Sequence, residues 1–449
     1  MKKCLLVFVF VGFTMLCTSV FAQSSADSKA ARIFSVDDAV DYALKNNVSV
    51  ERNLITLEAA KRAKNISWNS ISPTASVGAN ASAPVEALCD PDPKYDFRYG
   101  ITASVSMTLT PNLYASVQAA KIKYEQGKIS FDEALRSVEL SVRTAFYGLL
   151  YEKENITLQE KNLEIAQNQY NNNRTKYNQG RMSEIDVLSA EVNYKSMIPV
   201  VETAKTTYHN DLESFKNLLG LELDEEIELK GNLDDELTLD EIALDMDSVN
   251  SSEIKQLELS IKTARNSVLA SRFSAYGPSV NAGWNFGDTW TELKSDGRSE
   301  EKTSSVSLSV SIPLDGLLPW SVRAENIRLA KDSQKDYELQ LKNAKKTFKL
   351  SIDSSLRSIK QRQASIVSNQ ANVKLASRSY SMTQEAYNHG TKDLLTLQNA
   401  SKTLLSAQVA LKSEIYALIK EILNLEKTIG VPFGTLSSAR GGTIEQEFK

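Results

Sequence analysis

The segment ENITLQEKNLEIAQNQY, residues 154–170, is repeated 210 positions later as ASIVSNQANVKLASRSY, residues 364–380. Isoleucine, asparagine and tyrosine occupy matching positions in the two copies. The match continues without a gap into two pairs of glycines, Gly180 with Gly390 and Gly220 with Gly430. A repeat that holds its register over this distance indicates duplicated structural units. The sequence therefore predicts two copies of one structural plan in a single chain.

The same repeat extends upstream at a slightly different spacing. At a shift of 205 residues Pro73 aligns with Pro278 and Gly78 with Gly283. The two halves therefore match over most of their length. The predicted organisation is a first structural repeat over residues 23–220, an acidic linker over 221–250, a second structural repeat over 251–430 and a C-terminal tail over 431–449.

Each half is predicted to contain a very long helix, a sharp turn and a returning helix. From Leu135 to Tyr177 residues at alternating spacings of three and four form a seam in which ten of thirteen are apolar or aromatic. A seam of period 3.5 predicts coiled-coil packing. No proline interrupts residues 115–178, and at 1.5 Å per residue this segment gives a rod of about 96 Å. The hairpin tips are predicted at residues 178–184 and 388–394.

Alternating residues predict β-strands ahead of each long helix. Apolar and polar residues alternate strictly from Ile101 to Thr110, and again from Val306 to Leu314. The polar positions are almost all serine or threonine, which suits a water-filled lumen behind a lipid-facing wall. Ten such residues, tilted by about 45°, span roughly 23 Å, close to the apolar band of an outer-membrane barrel. Four strands are predicted, near residues 74–83, 99–110, 279–288 and 304–314.

Aromatic residues concentrate in and beside these strands, where a membrane–water boundary would lie. The predicted membrane-interface aromatics are Trp68, Tyr99, Tyr114, Trp284, Trp290 and Trp320. The alternative is that they are ordinary core aromatics of a β-sandwich.

The N-terminus reads as a secretory signal over residues 1–22. It has a basic start, an apolar stretch and small residues before the expected cleavage site. Cys17 leaves a lipoprotein signal as an alternative, although the preceding Leu16 is bulky where a small residue is usual. No other segment approaches the roughly 20 apolar residues of a spanning helix.

The composition gives no support to an enzyme. His209 and His389 are the only histidines, and Cys89 is the only cysteine after the signal, so no metal site or nucleophilic centre can be assembled. No phosphate-binding glycine loop follows a strand. The net charge of -4 argues against nucleic-acid binding. We therefore predict no catalytic residue, no cofactor and no metal.

Four strands cannot close into a barrel, and open strand edges are not tolerated in lipid. The edges must then be paired by other copies of the chain. Two copies would give eight strands, whose interior is filled by side chains, whereas three would give twelve strands with room for water. The serine and threonine face favours a homotrimer.

Four segments resemble the outer membrane efflux protein family, the TolC-type channel-tunnels. They are FSVDDAVDYALKNN at 34–47, ISPTASVGAN at 71–80, YNQG at 177–180 and YNHG at 387–390. The resemblance implies a mainly α fold with a small β part, in which long antiparallel coiled-coil helices join four transmembrane β-strands per protomer. Three protomers would then complete a twelve-stranded barrel and a periplasmic α-helical tunnel. It further implies an outer-membrane location and docking to a periplasmic adaptor and an inner-membrane transporter.

The resemblance also assigns functions to the hairpin tips. Glycine at each tip permits a left-handed turn, and Ser183 with Asp186 predicts a capping box. The implied periplasmic aperture and adaptor contact comprises Gly180, Asp186, Tyr387, Gly390, Lys392 and Asp393. Among these, Asp186, Tyr387 and Lys392 are hypothesised to latch neighbouring hairpins in a closed state. Where the TolC type has two aspartates at the constriction, this sequence has Thr396 and Asn399, so Asp393 is the acidic candidate there.

A second functional class fits the helices alone. A non-exporting envelope scaffold or tether would need the coiled-coil rods, but it would need neither the twin strands nor glycine turns at the tips. The linker, with twelve acidic residues between Leu221 and Asp247, is read as a solvated belt rather than a binding patch. The cargo stays open between small molecules, proteins and metal ions.

Overall fold

The computed structural model describes residues 32–82, 97–236, 251–293 and 297–436. The predicted signal peptide, Cys17 and Cys89, much of the acidic linker and most of the C-terminal tail lie outside the described residues. Within them the chain is mostly helical with a small sheet, as the sequence predicts.

The described residues of the first half form four strands and four helices. In chain order they are β1 (Arg32–Phe34), α1 (Val36–Asn46), α2 (Val48–Asn65), β2 (Thr74–Ser82), β3 (Phe97–Leu109), α3 (Asn112–Asn178), α4 (Glu184–Leu219) and β4 (Ile227–Leu229). Short 3-10 segments occupy Ser67–Ile71 and Leu233–Glu236.

The second half repeats the long elements of the first. It contains α5 (Ser252–Tyr276), β5 (Ser279–Leu293), β6 (Gly297–Ser311), a 3-10 turn (Asp315–Leu317), α6 (Val322–Asn388) and α7 (Leu394–Ile429). Helices α3 and α6 are both 67 residues long, and α4 and α7 are both 36 residues long. Each pair is offset by the 210 residues found in the sequence. A 67-residue helix measures about 100 Å.

Strands β2, β3, β5 and β6 form one antiparallel sheet in that order. Its register separates two chemically different faces. On one face Val105 lies opposite Trp284, which lies opposite Val306. One residue along, Ser104, Asn285 and Ser305 form the matching polar row. The predicted alternation thus becomes a continuous apolar face and a continuous hydroxyl-rich face.

The strand ends differ from the prediction for local reasons. The alternation continues to Leu314, but β6 ends at Ser311. Pro313 has no backbone N–H and cannot continue the ladder of hydrogen bonds. At their other ends β5 and β6 run further than predicted, to Leu293 and from Gly297. Charged residues such as Glu300 and Glu301 hide the alternation there.

The helices form one layer, and the helices that lie next to each other differ between the end near the sheet and the end near the hairpin tips. Near the sheet the contacts run α2–α3–α5–α6, and towards the tips they run α4–α3–α7–α6. The core lies where α1, α3, α4 and α7 meet. Its fully buried side chains include Phe146, Phe215, Leu219, Ile415 and Ile422. The parallel pair β1–β4 lies beside this core and ties the N-terminal segment to the linker.

The helical segment ahead of β2 is divided in two, because the chain breaks at Asn47 between α1 and α2. The Asn47 side chain accepts the Ser49 N–H at 2.8 Å and donates to the Leu218 carbonyl at 2.7 Å. An asparagine that caps the second helix and binds a distant backbone carbonyl favours the break.

Candidate functional site

The two hairpin tips have the same backbone geometry. The Gly180 N–H donates to the Tyr177 carbonyl at 2.8 Å, and the Arg181 N–H donates to the Lys176 carbonyl at 2.9 Å. The second tip repeats both bonds at 2.9 Å, from Gly390 and Thr391. These are the two hydrogen bonds of a Schellman turn. The φ angles of 69° and 74° at the two glycines require residues without a Cβ.

The helix that follows each tip is capped by the same pair of groups in opposite order. At the start of α4, the Ser183 hydroxyl caps the Asp186 N–H at 3.3 Å and also donates to the Asp186 carboxylate at 2.6 Å. At the start of α7, the Asp393 carboxylate caps the Thr396 N–H at 3.0 Å and accepts the Thr396 hydroxyl. Asp393 matches Ser183 in the repeat, and Thr396 matches Asp186. Both tips therefore keep one hydroxyl and one carboxylate.

Tyr387 is held inside its own protomer. Its hydroxyl donates to the Asn173 side-chain oxygen on α3 at 2.8 Å, and the Lys176 ammonium lies 5.6 Å from its ring centre. Burial raises the pKa of Tyr387, and the negative charge of Asp186 adds to that rise. The charge of Asp186 thus acts on Tyr387 within one protomer, and the latch stays a hypothesis.

Lys392 and Asp393 are exposed at the second tip. The hydrogen bonds from Thr396 lower the pKa of Asp393, and the Lys392 charge lowers it further. Asp393 is therefore an ionised helix cap. Thr396 is half-buried and Asn399 is exposed.

Polar residues also join the two hairpins along the seam between α3 and α7. The Ser401 hydroxyl donates to the Asn162 side-chain oxygen at 2.8 Å, and the Asn162 amide lies 3.7 Å from the Met197 sulfur. Asn173, which is also on α3 and is exposed to only 1%, accepts the hydroxyl of Tyr387 on α6. The spacing of three and four residues placed Asn173 in the predicted seam of α3. No signal in the sequence identified the partners of Asn162 or Asn173.

Three of the predicted interface aromatics surround the junction between sheet and helices. Trp68 lies in the 3-10 segment before β2, Tyr114 in the first turn of α3 and Trp320 just before α6. All three are more than half exposed.

The other three lie within the sheet. Tyr99 faces Trp290 across β3 and β5, ten residues from the Val280–Leu109 pair at the other end. Trp284 lies at mid-strand, opposite Val105. Its indole N–H donates to the Ser304 hydroxyl at 3.2 Å.

None of the helices among the described residues carries an apolar stretch of the length that a membrane crossing needs. No group of three or more histidine, cysteine, aspartate or glutamate side chains is placed there to hold a metal ion.

Several solved structures share this fold. The CmeC outer membrane channel of Campylobacter jejuni is 20% identical, with 88% of this chain and 85% of that chain covered and a TM-score of 0.71. The open state of the Neisseria gonorrhoeae MtrE outer membrane channel is 19% identical, with 88% of this chain and 89% of that chain covered and a TM-score of 0.68. The outer membrane protein VceC of Vibrio cholerae is 15% identical, with 89% of this chain and 96% of that chain covered and a TM-score of 0.66. At these identities the likeness establishes the fold. No curated protein matches the sequence.

The family is decided by the sequence profile described as Outer membrane efflux protein, which matches residues 40–221 and 244–431. These two matches cover most of both structural repeats. The protein is thus an outer-membrane channel-tunnel with a large helical periplasmic portion, and the chain belongs to the outer membrane efflux protein family.

Proposed function

We propose that three copies of this chain form the passive exit duct of a tripartite efflux or type I secretion system. The duct crosses the outer membrane as a twelve-stranded barrel and the periplasm as a helical tunnel. Its hairpin tips meet a periplasmic adaptor and an inner-membrane transporter. The observation that carries the proposal is that the sheet and the helical layer end in open edges on the same two sides of the protomer.

One side of the protomer is formed by β2, α2 and α4, and the other by β6 and α6. The two sides have different sequences, so a contact between copies joins one side to the other, head to tail. A head-to-tail contact generates a ring when its rotation closes. Closure at three copies gives twelve strands and leaves room for water inside.

Both sides carry exposed apolar side chains at helical spacing. On the first side they are Leu54, Ile55, Ile185, Leu188 and Val192. On the second side they are Leu329, Leu339, Leu350, Val367, Leu375 and Met382. Apolar stripes on single helices require a partner helix to cover them. A neighbouring protomer supplies that partner on each side.

The charges of the two sides are complementary towards the tips. Helix α4 carries six acidic and three basic side chains. The matching part of α6, residues 360–388, carries four basic and one acidic. Opposite net charges favour the pairing of α4 with α6 of the next copy over α4 with α4.

The sheet supports a lipid-facing wall. Val77, Val306 and Leu308 on the apolar face are between 73% and 82% exposed in the protomer. This face changes from apolar to charged at the row of residues where the Lys302 ammonium lies 3.9 Å from the Asp288 carboxylate. The opposite face is lined by serine, threonine, asparagine and glycine. The apolar face is suited to contact with lipid, and the polar face is suited to contact with water inside a barrel.

Cysteine pairing tests the ring. In a chain with Cys89 replaced by serine, Ile185→Cys and Met382→Cys place one thiol on each side of the protomer. Oxidation in cells is expected to give a denaturing-gel ladder that stops at three subunits. Ile185→Cys alone is the control and is expected to stay monomeric. A ladder that stops at two, or continues past three, would contradict the trimer.

A photo-crosslinker at Lys392 tests the docking. We expect it to capture an adaptor or transporter in intact cells, because Lys392 is exposed at the second tip. The same crosslinker at Lys331, near the sheet end of α6, is the matched control. Capture of other copies of this chain alone from Lys392 would remove the support for docking at the tips and favour the scaffold alternative.

The latch remains a hypothesis about Asp186, Tyr387 and Lys392. Asp186→Asn removes the charge that acts on the Tyr387 hydroxyl, so we expect a higher single-channel conductance in planar bilayers. Glu184→Gln, an exposed substitution in the same turn, is the control. An unchanged conductance for Asp186→Asn would rule out the latch.

A further inference from the structure

A cavity that is partly open to solvent, with both polar and apolar lining residues, lies in the first hairpin at the level of the hydrophobic core. Its volume is about 600 Å³, and it lies between α3, α4 and the junction of α1 with α2. Glu152 enters it from α3 and Asp211 from α4, while Asn47 and Ser49 line the junction. None of the described residues that line it is basic.

Tyr416 of α7 closes the third side of the cavity. It can reach there because Gly148 leaves the surface of α3 open, and a Cβ at that position would lie 3.3 Å from the tyrosine hydroxyl. The Tyr416 ring stacks on Tyr151 with centres 5.6 Å apart. Gly148 in the long helix thus has a packing role that links the second hairpin to the cavity of the first.

The two carboxyl groups in the cavity are unusual because they face each other. Glu152 and Asp211 both line the cavity, where Asp211 is exposed to solvent and the buried Oε2 of Glu152 has no hydrogen-bond donor among the described residues. Burial raises the pKa of Glu152 to about 7, and the Asp211 carboxyl contributes to the rise. Burial and the same two carboxyl groups also raise the pKa of Tyr416. Two adjacent carboxylates without a cation favour a state in which one of them stays protonated.

We propose that Glu152 keeps a proton and with it fastens α3 to α4 through the carboxylate of Asp211, so that the packing of the first hairpin responds to the pH around it. The protonated carboxyl donates a hydrogen bond across the two helices. Loss of the proton leaves two negative charges facing each other across the cavity. This inference is independent of adaptor docking, because it concerns the fold of one protomer.

The direction of the pH effect follows from the raised pKa. The stabilisation is fully present below the ordinary glutamate value of 4.5 and is lost as the pH rises through about 7. The other titratable groups facing the pair are Tyr208 of α4 and Tyr416 of α7, and Glu228 of β4 acts on Tyr208. Their phenols stay neutral in this range, since burial raises the pKa of both.

Hydrogen exchange of the purified full-length protein tests the proposal. After correction for the intrinsic rate, amide protection around Asp211 is expected to fall about tenfold between about pH 6 and about pH 8, which corresponds to one pKa unit. Glu152→Gln keeps the hydrogen bond without the titration, so its protection is expected to stay constant. A fall of equal size in Glu152→Gln would overturn the proposal.

Two control variants separate this pair from its neighbours. Glu160→Gln changes another α3 carboxylate that contacts α4, but that carboxylate is paired with Lys205 at 2.8 Å, so the wild-type pH profile should persist. His209→Gln removes the exposed imidazole two residues before Asp211. A pH profile abolished by His209→Gln would overturn the assignment to Glu152. Added Ca²⁺ that stabilises the wild type but not Glu152→Gln would mean that the pair holds a metal ion instead.

Discussion

At the scale of single residues, the contact between Tyr387 and Asn173 joins the end of one long helix to the other. Asn173 is almost fully buried, and its side-chain oxygen accepts the tyrosine hydroxyl at 2.8 Å. A buried acceptor that loses its donor is costly, because no water replaces the bond. The repeat places a second tyrosine, Tyr177, at the matching position of α3, but that side chain is 42% exposed.

This difference between matching tyrosines gives a first prediction. Tyr387→Phe is expected to reduce the free energy of unfolding by about 1–2 kcal/mol, because Asn173 loses its donor. Tyr177→Phe removes the same hydroxyl from an exposed ring and is expected to have almost no effect. Thermal unfolding of the two variants measures the difference. Equal destabilisation by both would show that the Asn173 contact contributes nothing of its own.

Glu426 gives a second prediction. It is fully buried on α7, and its carboxylate accepts the N–H groups of Gly434 and Leu436 at 3.0 and 2.8 Å. Glu426→Ala leaves both donors unpaired and is expected to cost about 2–4 kcal/mol. It should also expose the segment after Pro432 to proteolysis. Glu414→Ala breaks a partly exposed ion pair with Arg362 and should cost less than about 1 kcal/mol. Intact protease resistance in Glu426→Ala would contradict this account.

The sequence indicated the positions of the tip residues but not their partners. The glycine pairs and the capping residue Ser183 could be found from spacing, because turns and caps are local. The partner of Tyr387 could not, because Asn173 lies on a different helix more than two hundred residues away. The Glu152–Asp211 pair was missed for the same reason. Two acidic residues far apart in the sequence carry no sign that they meet in one cavity.

At the scale of elements, the glycines that end the helices share a conformation but have different surroundings. The would-be Cβ at Gly180 or Gly390 meets nothing within 4 Å, whereas at Gly220 it would lie 2.6 Å from the Asn46 carbonyl oxygen. The tips are therefore constrained by backbone conformation alone. The helix end at Gly220 is constrained by close packing as well.

A third prediction follows from this comparison. Gly180→Ala and Gly390→Ala are each expected to cost about 1–2 kcal/mol, the cost of a left-handed residue with a Cβ. Gly220→Ala is expected to cost clearly more, because the backbone around Asn46 must also move. Chemical denaturation of the three variants checks the order. If Gly220→Ala were the mildest of the three, the packing explanation would be wrong.

Long elements were the easiest part of the fold to predict. The seam of α3 spans many turns, so its period is clear, and the strands show strict alternation. Short elements were missed. The three-residue strands β1 and β4 are too short to show a period, and they form only because the N-terminal segment meets the linker. The end of β6 was also predicted too late, because the alternation of apolar and polar residues continues past Pro313. The ladder of backbone hydrogen bonds stops before that proline.

At the scale of the whole molecule, the two sides of the protomer differ in charge as well as in shape. The acidic side chains of α4 lie on one side and the basic side chains of α6 on the other. The sequence suggested the number of copies through the unpaired strands. It did not indicate which helices would meet, because that depends on the order in which α4, α3, α7 and α6 pack.

The charge difference gives a fourth prediction. If α4 of one copy pairs with α6 of the next, raising the salt concentration is expected to lower the temperature at which the proposed trimer dissociates in detergent, because salt screens exposed charges. Reversing the α6 charges with Lys374→Glu and Arg378→Glu should weaken the trimer further and abolish most of the salt dependence. Lys331→Glu with Lys335→Glu, on the same helix near the sheet, is the matched control. An unaltered salt dependence in the tip variant would exclude pairing through these charges.

The exchanged caps at the two tips have a consequence for how these positions can be altered. One tip holds serine then aspartate, and the other holds aspartate then threonine, at the same two positions of the repeat. Compared position by position, the two tips differ twice, but compared as pairs they carry the same two chemical groups. A single exchange at either tip would leave two acids or two alcohols, so only a paired exchange turns one arrangement into the other.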